Sequence, residues 1–509
     1  MPTVVLTTLN ARYAHASLGL RCLRANMGDL RDDTAIREFV VSTPPTQVVA
    51  GLLALAPRIV GFGVYIWNVE QTARVVELLK AAAPQVVVVL GGPEVSHETE
   101  QQAICRRADH VITGWGDVTF PRLVRQLLWG PPPLMTVHAG DQPDLGLLAL
   151  PYAEYTDADL RHRHVYVEAS RGCPFKCEFC LSALDRTAWP FPLDRFLHEI
   201  DILWQRGARR FKFIDRTFNL RAENSVAILE YFLRRLREAP EDRQFLHFEM
   251  VPDRLPDALR APLARFPAGS LQLEIGIQTF NPAVQALISR RQDNAVAESN
   301  LRWLRANTRA HLHVDLIAGL PGEDLVSFAA GFDRLVALAP HEIQLGLLKR
   351  LRGTPIVRHT ERYAMRYAAT APYEVIATAA IDTATMQRIG HFARYWDRVA
   401  NSGRFHRVLP MLLGDAPFDR FMAFSDWLHA RTRRTHSIAA EELYGEVHAW
   451  LLLQGIEPEV VRSALTQDYR DSGARGRLPF AAPAVRREAT LSSSSVTPER
   501  QRRHLRHVH

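Results

Sequence analysis

Lysine is nearly absent from this chain. Only Lys80, Lys176, Lys212 and Lys349 occur among 62 basic residues, and the rest are Arg. That skew reads as genomic base composition, so the pI of about 9.3 does not by itself imply a nucleic-acid surface. Much of the formal +7 sits at the end, where residues 484–509 hold six Arg against two Glu. Long apolar runs are also lacking. The strongest, Val86 to Leu90, is strand length, far short of the ~18 residues that span a bilayer. The start, Met1-Pro2-Thr3-Val4-Val5, has no basic region and no cleavage signal, so a cytoplasmic protein is expected. With 28 Gly and 31 Pro, low-complexity and collagen-like classes are excluded, and no internal repeat is evident. Five cysteines in 509 residues make no disulfide framework. What remains is ordinary globular composition, 47% hydrophobic and 23% charged, at a length that suggests about three domains.

The pattern along the chain is α/β. Residues 1–135 alternate strands (Val4 to Leu6, Arg58 to Val64, Gln85 to Leu90, Asp109 to Gly114) with helical stretches, which predicts a doubly wound, Rossmann-like parallel sheet. Ligands of such sheets sit at the carboxyl ends of the strands. Residues 136–160, after Pro131-Pro132-Pro133, read as a linker. Residues 161–355 hold six further strand segments, beginning near His164, Arg210, Phe245, Leu271, His311 and Glu342, and predict a partial β/α, TIM-like barrel. From 356 to 472 the strand pattern stops and a mostly α region follows, with Tyr373 to Ile389 among its expected helices. Residues 473–509, with Ser492 to Ser495 in a row, read as a disordered basic tail.

The chemistry is carried by Arg171-Gly172-Cys173-Pro174-Phe175-Lys176-Cys177-Glu178-Phe179-Cys180, a C-x3-C-x2-C loop after a predicted strand. Three thiolates can hold three irons of a cubane cluster and leave the fourth iron open. Zinc is the alternative, but structural zinc is usually closed by a fourth ligand. Cys22 and Cys105 fall in a different predicted domain and read as packing residues.

At these residues the chain resembles the radical S-adenosylmethionine (SAM) enzymes, specifically their cobalamin-binding class, over roughly residues 1–350. The whole chain resembles one uncharacterised bacterial subfamily with a C-terminal domain of unknown function. The resemblance rests on Asn10 to His15, Tyr65-Ile66-Trp67-Asn68, Leu90-Gly91-Gly92-Pro93-Glu94-Val95-Ser96, Ser170 to Phe175, Phe213 to Asn219 and Asp315 to Glu323. It implies that Cys173, Cys177 and Cys180 ligate a four-iron four-sulfur cluster, with SAM chelating the fourth iron. It also implies that Phe179 packs near adenine. Asp215-Arg216-Thr217 would stand at the SAM amino-group motif, in place of the usual Gly-Gly-Glu. Glu249, Gly276, Gln278, Gly319 and Pro321 would supply further SAM contacts.

A flat macrocycle needs strand ends without side chains, which Gly91-Gly92 and Gly114-Trp115-Gly116 offer. With the resemblance, Tyr65, Gly91, Gly92, Pro93, Glu94, Gly114 and Gly116 become candidate cobalamin-binding residues. His15 joins them. Its loop lacks the Asp and the spacing of an Asp-x-His-x-x-Gly motif, so a hydrogen-bonding or corrin-edge role is expected in preference to cobalt ligation. The implied cofactors are the cluster, SAM and cobalamin. The leading function is transfer of a methyl group from SAM, via methylcobalamin, to an unactivated carbon opened by a 5′-deoxyadenosyl radical. A non-methylating rearrangement, cyclisation or ring contraction is the alternative; RNA modification and a non-catalytic SAM or cobalamin sensor stand behind it. Expected partners are a small-molecule or peptide substrate and a reductant such as flavodoxin or ferredoxin, with neither a membrane nor nucleic acid.

Overall fold

The computed structural model describes residues 1–474, 476–480 and 496–506. The chain forms two compact units. One holds Met1–Arg216 with Lys349–Val357 and Ala368–Glu374, and the other holds Thr217–Leu348, Arg358–Tyr367 and the chain from Val375 onward.

The first unit is built on six parallel strands: β1 Val4–Asn10, β2 Thr34–Val40, β3 Ile59–Gly63, β4 Val87–Gly91, β5 His110–Thr113 and β6 Val137–Ala139. They lie in the order β2-β1-β3-β4-β5-β6. Strand β1, Val-Val-Leu-Thr-Thr-Leu-Asn, is buried along its whole length, as a central strand covered on both faces must be. The order reverses between β1 and β3, and a crevice opens at such a switch point. After β1, Ser17 caps helix α1, Leu18–Ala25, by accepting from the Leu20 N–H at 3.3 Å.

Two segments depart from expectation. Strand β2 has charges inside it (Thr-Ala-Ile-Arg-Glu-Phe-Val), which hid it from a hydrophobic reading. The stretch 136–160 is ordered, not a free linker. It carries β6 and the helix Asp157–His162, which has a Thr156–Asp159 capping box. Its Tyr152 and Tyr155 are fully buried. Its Glu154 and Asp159 pair with Arg31 at 2.7 Å and Arg21 at 2.9 Å. Strand β7 Val165–Val167 follows, then the short antiparallel pair β8 Ser170–Arg171 and β9 Trp189–Pro190, and β10 Arg210–Phe213, parallel to β7.

The second unit holds four parallel strands, β11 Phe245–Met250, β12 Leu271–Gln278, β13 His311–Ala318 and β14 Glu342–Leu347, paired in sequence order. Helices between them supply the crossovers. The C-terminal region packs onto this sheet: both side-chain amide atoms of Asn401 bond the backbone of Ile343, each at 2.9 Å. An aromatic cluster of Phe332, Phe392, Trp396, Phe418 and Phe421 seals the helices together. The expected helix from Tyr373 begins only at Thr383; before it, Val375–Ala377 pairs antiparallel with Arg366–Tyr367. The expected disordered tail also needs correction, because Glu499–Leu505 is a helix. Its Arg500 pairs with Glu342 at 3.0 Å, and its Arg503 donates to the Ser402 carbonyl at 2.7 Å. Its basic side chains find buried partners, which composition could not reveal. Residues 475, 481–495 and 507–509 of that tail lie outside the described residues.

Candidate functional site

The three clustered cysteines sit on one loop of the first unit, opened by β8 and closed by β9, and none of them is in a disulfide. The Cys173 N–H donates to the Asp185 carbonyl at 2.8 Å, and the Cys180 N–H to the Cys177 carbonyl at 3.1 Å. Gly172 has φ +89°, and a Cβ there would lie 2.5 Å from Thr187 Oγ1, so the turn into Cys173 needs glycine. Burial pushes the Cys173 thiol up to about 11. A metal that binds it must displace that proton. Among the described residues no three of His, Cys, Asp and Glu converge on a single ion. Three thiols on one loop suit three irons of a cluster. Phe179 is half-buried between the last two cysteines.

Asp215 is buried beside this loop. Its carboxylate accepts from Ser170 Oγ at 2.6 Å and from the Ala169 N–H at 3.0 Å. Burial pushes it up to about 7. Both oxygens are used to hold the strand that enters the cysteine loop, so its geometry is that of a positioning residue. Arg216 is exposed.

The remaining SAM candidates lie in the second unit. Thr217 is buried there. Glu249 on β11 aligns with Glu274 on β12. Gly276 and Gln278 flank an irregularity in the β12–β13 register. Gln278 takes φ +69°, rare for a residue with a side chain, and its buried Oε1 lacks a protein partner. Gly319 has φ +82°, and a Cβ there would lie 2.5 Å from Val375, so this glycine serves close packing. Pro321 is buried as well. Sequence reasoning did not single out the polar residues around this wall. His313 is held between Asp315 at 3.3 Å and Glu342 at 3.7 Å. Burial alone would lower His313, but Asp315, and after it Glu274 and Glu342, carry it up to about 9. His247 pairs with Glu274 at 2.9 Å. Glu323 accepts from Thr279 Oγ1 at 2.5 Å, and burial pushes it up to about 7. The signal for these was present: Glu274, His313 and Asp315 alternate with apolar residues along β12 and β13 and face the same side of the sheet.

A cavity of about 310 Å³ opens between α1 and the carboxyl ends of β3, β4 and β5. Of the expected residues, Tyr65, Gly91, Gly92, Gly114 and Gly116 line it. Gly92 has φ +109° and could not carry a Cβ, which would lie 2.5 Å from the Val64 carbonyl. Gly114 has no atom within 4 Å of a Cβ position, so its missing side chain is open space. His15, Pro93 and Glu94 are not among the lining residues. His15 Nδ1 meets Tyr166 Oη at 2.5 Å, and burial, with Lys212 and Arg12 nearby, lowers its pKa. Glu94 is taken by Arg352 at 2.9 Å and Tyr373 at 2.7 Å. Gly61 and Gly63 in β3, Cys22 on α1, and the charged group Asp117, Glu168 and Arg171 also line the cavity, although no motif pointed to them. Its walls are mainly glycine and apolar side chains, a cradle that a broad flat ring or its appended arm can enter.

Comparison with known proteins matches three families in succession. Residues 4–124 match the B12 binding domain, 167–333 the Radical SAM superfamily, and 361–505 a protein family of unknown function, DUF4080. The cobalamin-dependent radical SAM methyltransferase TokK of Streptomyces tokunonensis is 25% identical over 370 residues, covering 65% of this chain and 52% of that protein. The chain spans about half the length of the curated relatives it matches. Among solved structures, the cobalamin-dependent SAM radical enzyme OxsB is 14% identical with a TM-score of 0.61, covering 92% of this chain and 84% of that one. The radical SAM methyltransferase TsrM of Kitasatospora setae is 16% identical with a TM-score of 0.57, covering 75% and 81%. At such identities the solved structures speak to the fold.

Proposed function

The chain belongs to the cobalamin-binding radical SAM enzymes, and from that premise we propose that it is a methyltransferase that moves a methyl group from SAM to an unactivated carbon. The observation that carries this reading is the pairing, in one compact unit, of a three-thiol loop with a glycine-walled cavity at the carboxyl ends of strands in a parallel sheet. When bound, SAM and the cluster supply a 5′-deoxyadenosyl radical, and cobalamin carries the methyl group.

The chain's own residues bind, orient and shield. Cys173, Cys177 and Cys180 would hold the cluster, with Asp215 fixing the strand that enters their loop. The unpartnered Gln278 Oε1 supports a polar ligand at the β12 strand end, and Glu249 stands on the neighbouring strand to receive its charged groups. Gly91, Gly92, Gly114, Gly116 and Tyr65 would face cobalamin. His15 would act at a distance from cobalt, through Tyr166. A small-molecule or peptide substrate and a reductant such as flavodoxin or ferredoxin, met in the cytoplasm, complete the proposal. No helix among the described residues is long and apolar enough to cross a membrane.

Anaerobic incubation of the reconstituted protein with SAM and dithionite tests the reading. Both S-adenosylhomocysteine and 5′-deoxyadenosine are expected. Deoxyadenosine alone would move the assignment to a non-methylating rearrangement, and neither product would overturn it.

A further inference from the structure

The wall of the cobalamin cavity and the cysteine loop share residues. Arg171 lies two positions before Cys173, and its side chain lines the cavity. Its guanidinium is buried against Asp117 at 2.8 Å and Glu168 at 3.0 Å. The group stacks under Trp115, 4.7 Å from the ring centroid. Trp115 also lines the cavity, and its indole N–H donates to Asp185 Oδ2 at 2.7 Å. Asp185 in turn accepts the Cys173 N–H through its backbone carbonyl. One indole, at the end of a strand of the first sheet, therefore grips the cysteine loop on both sides: by its face on Arg171 and by its edge on Asp185.

We propose that Trp115 and Arg171 are positioning residues that couple occupancy of the cobalamin cavity to the electronic state of the cluster. This rests on the reading that the thiols hold a cluster and the cavity holds cobalamin. The physical basis is solvent. Two carboxylates against one guanidinium leave the Asp117–Arg171–Glu168 group net negative, and it faces the cavity beside the first cluster ligand. A ligand filling the cavity removes the water that screens this charge. Cluster potentials respond to hydrogen bonding and solvent exposure. A less screened negative field opposes the incoming electron, so loading cobalamin makes the cluster harder to reduce. Any such coupling is reciprocal: reducing the cluster weakens cobalamin by the same factor.

The test uses the whole reconstituted chain, with and without cobalamin, poised at one fixed potential. Iron-selective Mössbauer spectroscopy then gives the ratio of reduced to oxidised cluster. In the wild type the ratio should fall at least threefold on loading. Trp115→Phe keeps the ring and deletes the N–H; Arg171→Lys keeps the charge but cannot bridge two carboxylates and stack. In either variant, with cobalamin occupancy confirmed by its absorbance, the change should shrink to less than half. A wild-type ratio that does not move, with both cofactors bound, overturns the coupling alone. A full change surviving in both variants overturns the assignment to these residues. Wild-type protein that takes up iron but no cobalamin, or the reverse, overturns the underlying reading and the coupling with it.

Discussion

Gly91 and Gly92 are adjacent in the sequence yet do different work. A Cβ on Gly91 meets only the Ile112 carbonyl, at 3.8 Å, and otherwise points into the cavity; one on Gly92 collides with backbone. Gly91→Val should leave the thermal midpoint of the cofactor-free protein within a few degrees and weaken cobalamin at least tenfold in an absorbance titration. Gly92→Ala should lower stability itself by about 2 kcal/mol, because the residue also sits at positive φ. Equal effects of both on stability would count against the placement of the cavity. His15→Ala should leave the visible spectrum of bound cobalamin unchanged, since His15 Nδ1 faces Tyr166 and His15 does not line the cavity; a spectrum losing a nitrogen ligand would contradict this. Glu323 offers a pH signature. Its carboxyl is raised in the folded state from an ordinary 4.5 to about 7, so the folded state binds the extra proton in that window. Folding stability therefore falls as pH rises from about 4.5 to about 7. Glu323→Gln should flatten that part of the curve, by on the order of 3 kcal/mol, in denaturant titrations of cofactor-free protein. At this scale the cysteine triad was legible because spacing is a local property. The partners of His15, Asp215 and Glu94 were not, because no spacing reveals Tyr166, Ser170 or Arg352.

Strands whose apolar residues are continuous or alternate cleanly were legible as elements: β1, β3, β4 and β11 to β14 follow from hydrophobic pattern. Strand β2 and the ordered stretch 136–160 escaped because long-range ion pairs and buried tyrosines stabilise them. The helix Glu499–Leu505 is the clearest case, since a basic composition predicts solvation while Glu342, Asp397 and the Ser402 carbonyl supply its partners. Removing residues 496–509 should destabilise the second unit by a few kcal/mol and speed its proteolysis. An unchanged midpoint in the truncated protein would show that the helix contributes nothing. Glu342 adds a reason to expect the loss: burial would raise its carboxyl, but His311 and then Arg500 hold it down to about 2. Without Arg500 one of its counter-charges is gone.

Over the whole molecule, the order of family matches agrees with what the residues imply: a doubly wound sheet, a β/α sheet and a helical region. The substrate was never legible, because it would be recognised by side chains brought together from distant strands, and nothing in their local sequence encodes that meeting. This one chain would carry two distinct cofactor sites, the cysteine loop and the glycine-walled cavity. The most direct measurement of this is metal content of anaerobically reconstituted protein, beside a Cys177→Ala variant. About four irons and one cobalt per chain are expected, with the variant losing iron and keeping cobalt. A single tightly held zinc, or iron without cobalt, would contradict this reading.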